Sequence, residues 1–268
     1  MDSRVVLQGR GLHSGSPCTV VLLREPGPVA LSQGGARAPV RDLVVASTAR
    51  ATTVEAPGST LRVGTVEHAF AALAGLGVRE GLELRVDGPE MPLLDGGALA
   101  WCEAIARLGL PAASPSLRVT RAASYEVGPS RYELAPGDAG VDVSVHVELD
   151  SRFEPVARWL GDPQDFVSRI APARTFALAH EVEELARRGL ARHADPASVV
   201  VLAPDAVLSS GRPFAADEPA RHKLLDLIGD LYLHGGPPAG SFHAVRPGHA
   251  SNARAIRRAL EDGVLAPL

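Results

Sequence analysis

The stretch Arg221-His222-Lys223-Leu224-Leu225-Asp226-Leu227-Ile228-Gly229-Asp230-Leu231 constrains the fold more than any other part of the chain. At 3.6 residues per turn it reads as a helix that is apolar around most of its circumference, so it has no face to give to water and must be buried. His222, Asp226 and Asp230 nevertheless recur at every fourth position and stack along one side. A buried carboxylate or imidazole without a partner is costly, so the stripe needs compensation. A divalent metal would supply it, because His-x-x-x-Asp brings two side chains one turn apart to a common ion. A His–Asp pair satisfied inside a core is the alternative.

Composition narrows the class. The 268 residues are 46% hydrophobic and 22% charged, which is globular and not disordered. A net charge of −4 gives no electrostatic reason to expect nucleic acid as a partner. Cys18 and Cys102 are too few and too far apart for a disulfide framework or a cysteine zinc knuckle. With no signal-like start and no long apolar run, we expect a soluble, cytoplasmic protein without a transmembrane segment. The chain holds one lysine against 26 arginines, and that lysine is Lys223, beside the candidate ligand His222. A compact ammonium differs from a guanidinium in reach and hydration, which suggests a role that arginine does not fill.

Taken in order, residues 1–30 read as a β-hairpin closed through a glycine-rich loop around His13, and 25–41 as irregular or edge strand. Short strands follow at 43–45 and 51–54. Residues 65–77 form a second helix that is apolar nearly all round, with Thr65 as N-cap, Gly77 as the stop and Glu67-His68 in the first turn. A strand at 81–86 and a helix at 99–108 complete this half. Residues 111–116, Pro-Ala-Ala-Ser-Pro-Ser, are the best linker, which divides the chain into units 1–112 and 117–268. The second unit has strands at 117–120, 124–127, 132–134 and 141–149, then an irregular piece at 150–163. Helices at 163–170 and 181–189, a strand at 198–202, the opening helix, a strand at 241–245 and a last helix with His249 at its mouth complete it. The helices carrying Glu67-His68 and His222-Lys223 are loosely alike: ionisable first turn, apolar body, late glycine. Two homologous halves would set them face to face and bring His68 to His222 and Asp226.

If those three meet, two imidazoles and one carboxylate make the open ligand set of a catalytic zinc, Zn2+, with water in the fourth position. Glu67, next to a ligand, would be the general base for that water. Thr175 would steady an oxyanion, His249 would protonate the leaving group, and Asp230 would orient His249. Those parts suffice for hydrolysis of an amide.

The combination Thr65-Val66-Glu67-His68, Arg174-Thr175-Phe176, the opening helix and Gly248-His249-Ala250-Ser251-Asn252 resembles the UDP-3-O-acyl-N-acetylglucosamine deacetylases. Gly9-Arg10-Gly11-Leu12-His13-Ser14-Gly15 and Pro89-Glu90-Met91-Pro92-Leu93-Leu94-Asp95-Gly96 add to the likeness, in the same order along nearly the whole chain. The resemblance implies removal of acetate from UDP-3-O-(3-hydroxyacyl)-N-acetylglucosamine, the committed step of lipid A biosynthesis. It implies His68, His222 and Asp226 as zinc ligands, Glu67 as base, His249 with Asp230 as acid, and Thr175 at the oxyanion. Lys223 would lie near the substrate phosphate or leaving group, and Leu12, His13 and Phe176 would line the substrate. It further implies an α+β fold of two similar sandwich domains, helices packed between two sheets, with the active site at their interface. The acyl chain would use an insert in the second half, expected near 150–172. The partner is then the UDP-acyl-sugar, with the enzyme a monomer that touches the membrane surface at most transiently. A paralogue acting on a different acetylated amino sugar, or a catalytically idle zinc-binding homologue, are the other readings.

Overall fold

The computed structural model describes residues 2–138, 140–182 and 195–268. From the N-terminus, β1 (Arg4–Arg10), β2 (Pro17–Pro28), β3 (Ala30–Gln33) and β4 (Ala36–Pro39) lead into a small sheet of β5 (Val44–Ser47), β6 (Thr53–Glu55) and β7 (Arg62–Val63). Helix α1 (Glu67–Gly75), strand β8 (Glu80–Asp87) and helix α2 (Leu99–Leu108) follow. The second half repeats the plan with β9 (Leu117–Val119), β10 (Ala123–Val127), β11 (Ser130–Ala135), β12 (Val141–His146) and β13 (Val156–Trp159). A short helix, α3 (Pro163–Asp165), runs into a π-type turn at Phe166–Ile170, where the Ala171 N–H donates to the Phe166 carbonyl (2.8 Å). A small sheet of β14 (Thr175–Leu178), β15 (Val199–Leu202) and β16 (Val207–Leu208) precedes α4 (Glu218–Tyr232), β17 (Gly240–Val245), α5 (His249–Glu261) and β18 (Leu265–Pro267).

The two five-stranded sheets have the same order, β1-β2-β8-β3-β4 and β10-β11-β17-β12-β13. In each, the third and fourth strands are parallel and all other pairs antiparallel. The weak sequence repeat is thus a structural one, with α1 matching α4 and α2 matching α5. Alternation fixes which side of each sheet meets the helices: Cys18, Val20 and Leu22 on β2 and Val143 and Val145 on β12 are buried. Helix α2 packs on β1 and β2, α4 on β12 and β13, and α1 and α4 pack against each other. The result is an α+β fold with its helices between two sheets.

Every residue of α1 is buried, as its composition demands. Its close approach to α4 depends on glycine, because a Cβ on Gly229 would stand 2.1 Å from the Glu67 carbonyl oxygen. Gly75 likewise accepts the Phe166 ring where a side chain of its own would clash. Helix α4 begins a turn earlier than its apolar core suggests, at Glu218-Pro219, where proline is tolerated because the first N–H groups lack helical partners anyway. No helix among the described residues is long and apolar enough to cross a membrane.

Several expectations need correction. Thr65 does not cap α1: it sits at φ 53°, and its hydroxyl donates to Glu90 (2.8 Å). The expected stop holds, since Gly77 takes φ 70° just beyond the helix. Residues 25–41 are more regular than their Gly and Pro content suggests. Ala30 and Leu31 are fully buried on β3, inside the sheet, and only β4 is an edge. Within 150–163, β13 alternates exposed Val156 and Arg158 with buried Ala157 and Trp159, a short pattern hidden between Pro155 and Gly161. The helix expected over 181–189 falls mostly on residues 183–194, outside those described.

Candidate metal centre and catalytic cleft

The α1–α4 contact places His68, at the start of α1, against His222 and Asp226 on α4. The imidazoles meet edge to face with centroids 5.2 Å apart. Asp226 Oδ1 lies 3.5 Å from His222 Nε2 and 3.9 Å from His68 Nε2, and one ligand atom from each residue lies within 4.8 Å of the others. All three side chains are buried. Burial pushes the His68 imidazole down to about 3, with the neighbouring His222 adding to the effect, and burial lowers His222 as well. Burial thus favours the neutral form of both rings.

His222 donates its Nδ1–H to the Ala173 carbonyl (3.0 Å), which leaves a lone pair on the Nε2 that faces Asp226. Burial works against charge on Asp226, yet Lys223 and the surrounding histidines hold its carboxyl well below the usual range. Lys223 Nζ takes Oδ2 at 2.9 Å, while Oδ1 has no hydrogen-bond partner, nor does His68 Nδ1. Neither imidazole makes a hydrogen bond to Oδ1, which argues against a self-satisfied His–Asp pair. A buried carboxylate oxygen facing lone-pair donors is what a divalent cation fits.

The acid–base groups flank this trio. Glu67 is buried at the head of α1, with Oε2 accepting from the Thr52 N–H (3.0 Å) and Oε1 3.6 Å from His249 Nε2. Burial raises its proton affinity; His249 opposes this, and Asp226 and Asp230 add to it. His249 stands at the first position of α5, its Nδ1 3.0 Å from Asp230 Oδ2. Burial disfavours its charge, but Asp230, Glu67 and Asp226 outweigh burial and raise it. Asp230 also accepts from the Thr52 hydroxyl (2.6 Å) and from the Asn252 amide (2.8 Å), and Asn252 in turn accepts from the Tyr132 hydroxyl (2.7 Å).

A cleft of about 1240 Å³ lies beside this cluster and reaches it at Lys223 and His249. Leu12, His13, Thr175, Phe176, Lys223 and His249 all line it, whereas Glu67, His68, His222, Asp226 and Asp230 are not part of its lining. Lys223 Nζ lies 5.5 Å from the centre of the Phe176 ring. The Leu12-His13 loop is anchored by Glu90, which accepts from the His13 and Ser14 N–H groups and from the Thr65 hydroxyl. Those bonds overcome burial and hold the Glu90 carboxyl low. Thr175 is set by the fully buried Arg174, whose main-chain N–H, Nε and Nη2 donate to Glu218 at 2.8–3.1 Å while Nη1 donates to the Ser210 carbonyl, and by its own N–H to the Gly96 carbonyl (2.8 Å).

The apolar wall corrects a further expectation. It comes from Val199, Val201 and Val207 of β15 and β16 together with β14, and no residue of 150–172 lines the cleft. Segment 150–172 instead supplies β13 and the turn whose Phe166 packs on α1. Thr52 and Tyr132 carry no sequence signal as site residues, because each acts through a hydrogen bond across the fold, and Glu90 stood out only as part of a longer motif. Asn252 and Arg174 were visible only as parts of longer motifs.

With this geometry in hand, comparison with known proteins is specific. A family model described as UDP-3-O-acyl N-acetylglycosamine deacetylase matches residues 1–261. The UDP-3-O-acyl-N-acetylglucosamine deacetylase of Anaeromyxobacter dehalogenans is 34% identical, over 97% of this chain and 86% of its own length. That of Myxococcus xanthus is 35% identical over 96% and 84%, and that of Synechocystis sp. 34% over 91% and 92%. The chain belongs to the UDP-3-O-acyl N-acetylglycosamine deacetylase family.

Proposed function

We propose that the chain is a zinc-dependent amidase that removes acetate from UDP-3-O-(3-hydroxyacyl)-N-acetylglucosamine, in the synthesis of lipid A. One observation carries the reading: the unpartnered Asp226 Oδ1 and two neutral imidazoles face one point, with a carboxylate and a histidine of raised proton affinity beside it. His68, His222 and Asp226 would hold the metal, which acts when bound as a Lewis acid and lowers the pKa of a water to about 7. Units 1–112 and 117–268 would each supply part of the site.

Glu67 Oε1, left free by the Thr52 bond to Oε2, takes the proton of the attacking water. Water adds to the acetamide carbonyl carbon, and the hydroxyl of Thr175 and the ammonium of Lys223 stabilise the charge that develops on oxygen. The C–N bond then breaks as His249 gives the Nε2 proton to the departing amine, while Asp230 on Nδ1 keeps the ring in that orientation. The wall of β14, β15 and β16 suits an acyl chain, and Arg50, Arg246 and Arg254 on other parts of the lining suit a diphosphate. Two buried free thiols, Cys18 and Cys102, agree with a reducing cytoplasm.

The test is acetate release from this substrate by purified protein, before and after metal removal by a chelator and after zinc is restored. Activity that disappears and returns supports the reading. Absence of turnover by the zinc-loaded protein refutes it.

A further inference from the structure

Thr52 lies in the turn between β5 and β6, two residues after Arg50, whose φ of 68° bends the chain toward α1. It is 2% exposed, and each of its polar groups is used. Its carbonyl accepts from the Val66 N–H (3.2 Å) and its N–H donates to Glu67 Oε2 (3.0 Å), so the main chain is fastened to the head of α1. Its hydroxyl stands 2.6 Å from Asp230 Oδ1 and 3.2 Å from His249 Nδ1.

The direction of these bonds follows from what each group can do. An ionised carboxylate only accepts, so the short contact to Asp230 takes the hydroxyl proton. The hydroxyl oxygen then has lone pairs left for the Nδ1–H of His249, which also faces Asp230 Oδ2 at 3.0 Å and Oδ1 at 3.3 Å. Acceptors on two chain segments thus surround one N–H, which restricts rotation of the ring about its Cβ–Cγ bond. The opposite nitrogen, Nε2, is thereby kept 3.6 Å from Glu67 Oε1 and 3.9 Å from Asp226 Oδ2. The same residue fixes which Glu67 oxygen is occupied and which is open.

We propose that Thr52 is a positioning residue of the reaction: its main chain turns the Glu67 carboxylate, and its hydroxyl turns the Asp230–His249 pair, so that base and acid face one point in the cleft. The proposal rests on the roles given above to Glu67 and His249. It differs from a packing role in a way that can be measured. Valine has the shape of threonine without the hydroxyl, and a buried site that needs only volume accepts it readily.

The experiment compares Thr52→Val and Thr52→Ser in the zinc-loaded protein, with metal content and thermal unfolding measured alongside kcat and KM. Thr52→Val is expected to keep its zinc and to hold KM within about twofold. Its kcat falls by about 10- to 100-fold, the usual effect of losing a partner that orients a group at a metal site. Thr52→Ser recovers most of that loss. If Thr52→Val does not fold, Thr52→Ala against Thr52→Ser gives the same comparison. A second measurement needs no substrate: the His249 Nδ1–H signal in histidine-labelled, zinc-loaded protein, assigned by its disappearance in His249→Gln. It is expected at low field and slow to exchange in the native protein, and shifted and faster to exchange in Thr52→Val. A valine variant with native kcat, a serine variant as slow as the valine one, or an unchanged His249 signal overturns the proposal. If the native protein does not turn over the substrate, the substrate assignment fails while the imidazole signal still tests Thr52.

Discussion

Gly229→Ala separates two physical effects that act in opposite directions. In a helix, alanine is favoured over glycine by about 1 kcal/mol, so by propensity alone the change in α4 stabilises. The structure argues the other way. The new Cβ would stand 2.1 Å from the Glu67 carbonyl oxygen, 2.8 Å from its carbon and 3.0 Å from the Glu67 Cα. All three are backbone atoms of α1 that no rotamer change can remove. Relief requires the two helices to part by about 1 Å, an overpacking cost of roughly 1–3 kcal/mol that exceeds the propensity gain. That cost leaves a domain with a typical stability of about 5–15 kcal/mol folded. The site is less tolerant. His68 rides on α1, and His222 and Asp226 ride on α4, so separation stretches the ligand set across the seam. Metal–ligand bonds tolerate only about 0.2 Å. A displacement of about 1 Å at reacting groups costs on the order of 100-fold in rate. We therefore expect a modestly lower unfolding temperature for metal-free Gly229→Ala, a marked loss of zinc affinity in competition with a chromophoric chelator, and near-abolished turnover. A variant as stable as the native protein, with native zinc affinity, would show that the helices do not meet at Gly229 and that the seam does not set the ligand geometry.

Three further changes address separate parts of the site. Glu67→Gln keeps the shape of the side chain and an acceptor for Thr52, so zinc content is retained while kcat falls by about 10²- to 10⁴-fold, as for loss of a general base; loss of zinc instead would mark Glu67 as a ligand. Glu90→Ala frees the His13 and Ser14 N–H groups and the Thr65 hydroxyl, loosens the loop carrying Leu12 and His13, and is expected to raise KM more than it lowers kcat; a native KM would remove that loop from substrate binding. Glu218→Gln leaves the buried Arg174 guanidinium without its counter-charge, at a cost of about 3–5 kcal/mol in unfolding free energy measured with urea. Burial works against ionised Glu218, but Arg174 outweighs it and holds the carboxyl below its ordinary value. Its stabilisation is thus complete above about pH 4.3, the ordinary glutamate pKa, and fades as pH falls through the lowered value. Glu218→Gln should flatten that acid limb, and an unchanged limb would refute the assignment.

What the sequence made legible was set by where the chemistry sits. Helix α1 is apolar nearly all round and α4 around most of its circumference, so their burial could be read directly, and their ionisable residues stood out against that background. The resemblance between them was enough to bring His68 to His222 and Asp226, and the matching strand orders of the two sheets explain why so weak a repeat sufficed. Thr52 and Glu90 hid their roles for the opposite reason. Each bonds groups far away in the chain, 178 residues for Thr52 to Asp230 and 77 for Glu90 to His13, and no local pattern records such a pairing. Thr65 misled because threonine before a helix usually caps it, whereas here the hydroxyl serves Glu90 and the backbone is left-handed. The apolar wall of the cleft was not legible because the Val-Val-Val-Leu run of β15 reads as an ordinary core strand, and the resemblance pointed to 150–172 instead.

The repeat also accounts for why the site lies where it does. Two sheets that each carry a pair of helices bury the remaining apolar helix surface by packing α1 on α4, and that packing creates a dry seam. Ionisable residues that face this contact, at the head of α1 and along α4, are then buried between the two copies of the plan. The copies use the position differently: α1 contributes Glu67 and His68, and α4 contributes His222, Asp226 and Asp230. Neither set is complete alone. In the function proposed above, the base lies on one helix, the carboxylate that orients the acid on the other, and the ligands on both. The contact that buries these ionisable groups is thus also the contact that brings them together.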